Sequence, residues 1–312
     1  MSQGPSATRA APALVPSRLA RTARWTDRHF PLLAVAPAVV ILFLTTIFPL
    51  LYALYNSLFD YYLPQPDLRR FIGAGNYLAA LQDPVFIGSL RRTGILIAGG
   101  IALQFLLGLV IALVLSDEEV RGRKVLTSVI AIPMMIPEVA AAYMWWLLYR
   151  VQGFLNYALS HLALGPFLWI SGPSTALPSI MLTDSWQWIP FVALVLVAGM
   201  ASIPTEIHEA AELDGASWFA HLTRVTLPLL RRVMIVILLI RSMDIFKMFG
   251  LILVMTQGGP GDVTTTATFY TYLNGFAYFK VGYGAAQSFI LLAIIVALST
   301  LLISYVYEER TP

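Results

Sequence analysis

Apolar runs long enough to cross a hydrocarbon core, about twenty residues as a helix, recur along the chain near Leu32–Leu58, Thr93–Leu115, Val125–Tyr149, Leu177–Ala201, Val233–Met255 and Ala285–Tyr307. Within them the apolar residues run on without a polar face, so each segment expects lipid or protein on every side. The pattern predicts an all-α integral membrane protein with six transmembrane helices. Between the fourth and fifth runs, at about 203–230, the pattern switches to a polar helix–turn–helix. Turn-rich stretches at 60–92 and 150–176 read as connectors that form a small cap on the opposite side.

Composition agrees: 58 % of the 312 residues are hydrophobic and 12 % charged, with a mean hydropathy of +0.75. A soluble domain carries about twice that share of charges. Residues 1–30 are rich in Ala, Pro, Ser and Arg and read as a disordered basic cytoplasmic tail, with the membrane domain at 31–312. The net charge of +3 does not call for nucleic acid, because the basic residues flank the spans. Arg9, Arg18, Arg21, Arg24, Arg28, Arg121, Arg123, Lys124, Arg224, Arg231 and Arg232 fall on one side, against Arg69, Arg70, Arg91, Arg92, Arg150 and Lys280 on the other. That asymmetry predicts both termini in the cytoplasm and the 203–230 loop with them.

In that loop Pro204 suits a first helical turn, where its missing N–H costs nothing. Ile207, Ala210, Ala211 and Asp214 then recur at helical spacing with a small face at Ala210 and Ala211, and Gly215 permits a sharp reversal before Ala216 and Ser217. Glu206, Glu209 and Glu212 offer carboxylates to a partner's Arg or Lys. The plainer alternative is a solvated loop kept out of the bilayer by its charges.

The run Glu209-Ala210-Ala211, then Asp214-Gly215-Ala216 and Leu227-Pro228, resembles the cytoplasmic EAA loop of the membrane subunits of binding-protein-dependent ABC importers. It departs from that pattern at Leu222, where Phe is common, and at Arg232, where Pro is common. Thr256-Gln257-Gly258-Gly259-Pro260-Gly261 is similar to a turn in the sugar-importing branch of these permeases, placed here on the extracytoplasmic side. Arg241–Phe249 and Phe269–Gly284 resemble the same branch. The resemblance implies a type I importer permease fold and ATPase coupling through Glu209, Ala210, Ala211, Asp214, Gly215 and Ala216. It also implies a second permease subunit as heterodimer partner, two ABC ATPases and an extracytoplasmic solute-binding protein, with ATP and Mg held by the ATPases and no cofactor on this chain. The implied setting is a bacterial inner membrane. A permease for a non-sugar solute shares the EAA loop, and an ion-coupled transporter using Glu138, Asp184 or Asp244 is the alternative of a different class.

A charge at the bilayer centre costs about 3 kcal/mol on insertion scales, so intramembrane charges need partners. Arg241, Asp244 and Lys247 lie three apart, so Asp244 is expected to pair with either base and the group to contact sugar hydroxyls or fix helix packing. Pro133 and Pro137 are expected to disturb the third span beside Glu138. Tyr143, Trp145, Asp184, Trp186 and Gln187 complete the candidate substrate pathway, with the interfacial aromatic belt as the competing account of the tryptophans. With no cysteine there is neither disulfide nor thiolate site. No P-loop pattern occurs, which removes the usual route to an ATPase in this chain, and His29, His161, His208 and His221 lack zinc spacing.

Overall fold

The computed structural model describes residues 34–117 and 120–307; the predicted basic tail lies outside them. The chain forms two compact units divided after Tyr55. The described residues of the first, 34–55, lie in helix α1 (Ala34–Ser57), which holds a wider π turn at Phe43–Ile47 and exposes Val39, Phe43, Leu44 and Leu51. An apolar surface of that kind is stable in hydrocarbon, where a helix satisfies its own backbone.

The second unit opens with a two-residue hairpin, β1 (Phe59–Asp60) against β2 (Arg70–Phe71), followed by α2 (Gly75–Gln82). Next comes α3 (Pro84–Ser116), started by Asp83, whose carboxylate accepts the Val85 N–H, and by a proline in the first turn. It begins nine residues before the predicted span, so Arg91 and Arg92 belong to the helix and not to a connector.

The third segment is broken, as its prolines require. Arg123–Met135, beginning as α4 (Arg123–Ala131), and α5 (Glu138–Leu148) meet at 93°. After α6 (Phe154–Ser160) comes α7 (Ala176–Ala201), which packs along α3. A Cβ on Gly108 of α3 would stand 2.8 Å from Val192, so the absence of a side chain sets how closely these helices approach.

The loop that follows holds α8 (Thr205–Leu213) and the single turn α9 (Trp218–His221), which runs through a π turn at Leu222–Thr226 into α10 (Leu227–Phe246). The fifth predicted segment is also interrupted: α10 stops at Phe246, and α11 (Gly250–Met255) restarts after a three-residue break. The chain closes with α12 (Ala267–Tyr272) and α13 (Val281–Tyr307).

Among the described residues, four unbroken helices are long and apolar enough to span a membrane, and the bent pair makes up to five. The remaining predicted span, Val233–Met255, falls on α10 and α11; α10 starts six residues earlier and so takes in Arg231 and Arg232 besides Arg241 and Asp244, too many charges for an uninterrupted apolar helix.

Candidate functional site

The 203–230 loop is assembled from local signals. Pro204 is not inside the first turn as expected; it takes the extended conformation just before it, and α8 starts at Thr205. At the other end Gly215 has φ +74°, the Gly215 N–H donates to the Glu212 carbonyl, and the Ala216 N–H reaches back to Ala211. This is the Schellman closure, in which a left-handed residue satisfies the last helical carbonyls. Ser217 then caps α9 by accepting the Ala220 N–H. His208 Nδ1 and His221 Nε2 lie 3.0 Å apart and tie the two helices together, a structural use of both histidines.

What this frame presents is exposed. Leu213 is 89 % exposed and Trp218 and Phe219 68 % each. Glu209, Ala210, Asp214 and Gly215 are also exposed, and Ala211 and Ala216 are half-buried. Glu206, Glu209, Glu212 and Asp214 make no ion pair among the described residues.

Asp244 pairs with both Arg241 and Lys247, as expected, but Arg241 has a further partner that the sequence did not offer. Arg241 is buried at 1 % exposure, and its chief partner is Asp184 of α7, not Asp244. Its Nη2 donates to both Asp184 oxygens at 3.0 and 2.8 Å, its Nε to Gln104 Oε1 at 2.8 Å and its Nη1 to Asp244 at 3.3 Å. Gln104 returns a bond to Asp184 at 2.8 Å, and the guanidinium carbon sits 4.6 Å from the centre of the Trp188 ring. Asp244 pairs mainly with Lys247 at 3.0 Å, and Lys247, 70 % exposed by its side chain, lies at the end of α10. Sequence reasoning missed Gln104; a lone amide inside a long apolar run was the available signal.

The breaks in the third and fifth segments meet. Glu138 Oε1 accepts the Leu251 N–H at 3.0 Å, filling a donor left open at the start of α11. Gln187 donates to the Ile136 carbonyl at 2.6 Å, a group freed by the bend, while its own oxygen has no partner among the described residues. Trp145 and Trp186 make an edge-to-face pair at 5.5 Å, and the Trp145 Nε1–H is buried with no partner among the described residues. Glu138, Trp145, Trp186 and Gln187 are therefore grouped about the bend. Tyr143 is exposed outside that group, and Asp184, Arg241, Asp244 and Lys247 form the neighbouring charge hub.

Beyond α11, Gly258 has φ +89° and lies so close to Thr265 and Phe269 that a Cβ would clash. Thr264 Oγ1 donates to the Gly259 carbonyl at 2.8 Å, and Arg92 is paired with Asp262, so the Gly258-Gly259-Pro260 turn is held from two sides.

The chain resembles known proteins in sequence and in fold. The family model described as binding-protein-dependent transport system inner membrane component matches residues 104–310. The trehalose/maltose transport system permease protein MalF of Thermococcus litoralis is 35 % identical over 86 % of this chain and 89 % of its own. The trehalose transport system permease protein SugA of Mycobacterium tuberculosis is 32 % identical over 90 % of this chain and 89 % of its own. A chain of a bacterial alginate ABC transporter, solved with its alginate pentasaccharide-bound periplasmic protein, shares the fold. Its TM-score is 0.77 at 21 % identity, covering 93 % of this chain and 99 % of that one.

Proposed function

Because the chain belongs to the family of inner-membrane components of binding-protein-dependent transport systems, we propose that it is a transmembrane subunit of an ATP-driven importer for a sugar or sugar-like solute. The observation that carries the coupling role is the closed loop whose Leu213, Trp218 and Phe219 are left largely exposed by the described residues. Exposed large apolar side chains ringed by carboxylates fit a protein partner. That partner is an ABC ATPase, two of which serve two such loops, so a second permease subunit completes the membrane unit.

The sugar assignment rests on the names of the relatives and on the site around the bend. Paired indoles with an unfilled indole donor and an unfilled amide oxygen suit a ligand that presents C–H faces and hydroxyls. Glu138 orders this site from behind, by holding α11. The Arg241 hub is a packing element: its acid is consumed by a guanidinium and an amide, which removes Asp184 as a free proton carrier. ATP and Mg are held by the ATPases, and this chain holds no ATP. A solute-binding protein docks on the face that carries the Gly258–Pro260 turn, and both termini lie in the cytoplasm.

The test is reconstitution of this chain with its ATPase, second permease and binding-protein partners in proteoliposomes. Trehalose or maltose uptake should require ATP and the binding protein and be insensitive to collapse of the membrane potential. A single cysteine at Gln257, in a chain with none of its own, should react with an impermeant thiol reagent on intact cells. Uptake without ATP, or labelling only after lysis, contradicts the function or the topology respectively.

A further inference from the structure

At the N-terminal end of α3 a cavity of about 500 Å³ opens between the hairpin, α2, α12 and α13, within the size range of small-molecule sites. Its walls include Asp60, Tyr61, Tyr62, Asp83, Tyr270 and Lys280. It is separate from the Trp145–Trp186 group, with which it shares no lining residue.

Two observations show that the walls are held in place. The Asp83 Oδ2 accepts the Tyr270 and Tyr283 hydroxyls at 2.7 and 2.8 Å, so one carboxylate at the start of α3 orients phenols from two other helices. Burial would raise the Asp83 carboxyl, but these hydroxyls and the backbone N–H groups of Val85 and Phe86 hold it below its usual value, so it stays an acceptor. On the opposite wall, Leu63 N–H donates to the Phe279 carbonyl and Gly282 N–H to Tyr61, while Tyr62 and Lys280 form an antiparallel bridge. These bonds fix the Asp60-Tyr61-Tyr62 stretch against the start of α13.

The groups facing into this frame are unspent. Among the described residues, Asp60, Tyr61 and Tyr62 make no side-chain hydrogen bond, and Lys280 Nζ has no acid partner. The Tyr61 ring is steadied by the Arg69 guanidinium 5.1 Å away. The walls carry two carboxylates to one ammonium, but the Asp83 carboxylate already accepts two phenol hydroxyls and a backbone N–H; the groups left free are one carboxylate, one ammonium and phenols, with aromatic faces between them. That set fits an uncharged polyhydroxylated ring better than an anion or a cation, either of which would leave Asp60 or Lys280 opposed.

We propose that this cavity is a second carbohydrate subsite, lying on the extracytoplasmic side and receiving an uncharged sugar before it reaches the site at the bend. The subsite rests on the importer reading above. Asp60 and Lys280 take the hydroxyls, and Tyr62 covers a ring face.

The chain has lysines only at 124, 247 and 280, and an impermeant amine-acylating reagent applied to proteoliposomes of the assembled complex can be read at Lys280 by mass spectrometry. Trehalose should slow Lys280 acylation by about tenfold at roughly ten times its half-protecting concentration, as mass action requires for a single site, and glycine betaine should not. Asp60→Asn and Tyr62→Ala, both at exposed positions, should abolish the protection and lower uptake, with the assembled complex recovered in wild-type yield. Uptake of trehalose with Lys280 unprotected, or protection that survives both substitutions, overturns the subsite and leaves the importer standing. A wild-type complex that takes up neither trehalose nor maltose overturns the sugar reading and the subsite with it.

Discussion

At the Arg241 hub and on the 203–230 loop the chain places charges under opposite rules. In the hub, buried Arg241, Asp184 and Gln104 use one another's bonding capacity, with Asp244 at its partly exposed edge. On the loop, Glu206, Glu209, Glu212 and Asp214 reach no cation of the described chain, and three large apolar side chains stand beside them uncovered. The difference separates residues that hold the subunit together from residues that await another molecule. A charge satisfied internally is costly to remove, because its partner stays behind; a group satisfied only by a partner is silent until the partner arrives.

The largest effect should follow from cutting the hub. Asp184→Ala leaves a guanidinium buried without its main acceptor, a defect that typically costs about 3–5 kcal/mol. The variant should be recovered in low yield, and its thermal unfolding in detergent should shift sharply downward. An unshifted transition would mean that the hub is not a packing element.

The loop should behave in the opposite way. Leu213→Ala with Trp218→Ala should leave thermal unfolding of the isolated subunit unchanged and weaken retention of the ATPase by about 2 kcal/mol, roughly thirtyfold. A destabilised subunit with undiminished assembly would place these side chains in the fold instead of the interface.

Asp244 gives the smallest effect and sharpens the contrast. Had it been the main partner of Arg241, its loss would rival that of Asp184. With Arg241 already held by Asp184 and Gln104, Asp244→Ala breaks a bond at 3.3 Å and a partly solvated pair with Lys247. Such exposed pairs are worth about 1 kcal/mol or less. A loss equal to that of Asp184→Ala in the same unfolding assay would reverse this ranking.

How far the sequence revealed these features depended on the range of the interactions. The loop was legible because its determinants are local: Asp214-Gly215-Ala216-Ser217 contains a helix end, a left-handed turn and the next cap in adjacent positions. The bend of the third segment was legible from Pro133 and Pro137. The break after Phe246 was not, because no proline marks it and the group that completes the start of α11 is Glu138, 113 residues earlier. The hub failed for the same reason. Spacing along one helix offered Asp244 to Arg241, whereas the partner that won lies 57 residues away on another helix. Sequence indicated that an intramembrane charge must be paired and could not say across which interface.

One consequence belongs to the mechanics of α3. Its 33 residues form an unbroken rod, about 50 Å long at 1.5 Å per residue, whereas the third and fifth segments are interrupted near their middles. The rod bears Ser116 near the docking loop at one tip, within bonding distance of Met200, and follows Asp83 at the other. A tilt of about 10° about either tip would sweep the far one through roughly 9 Å. Stiffness in this one helix thus makes it a lever, and the jointed segments beside it are the parts able to yield around a passenger.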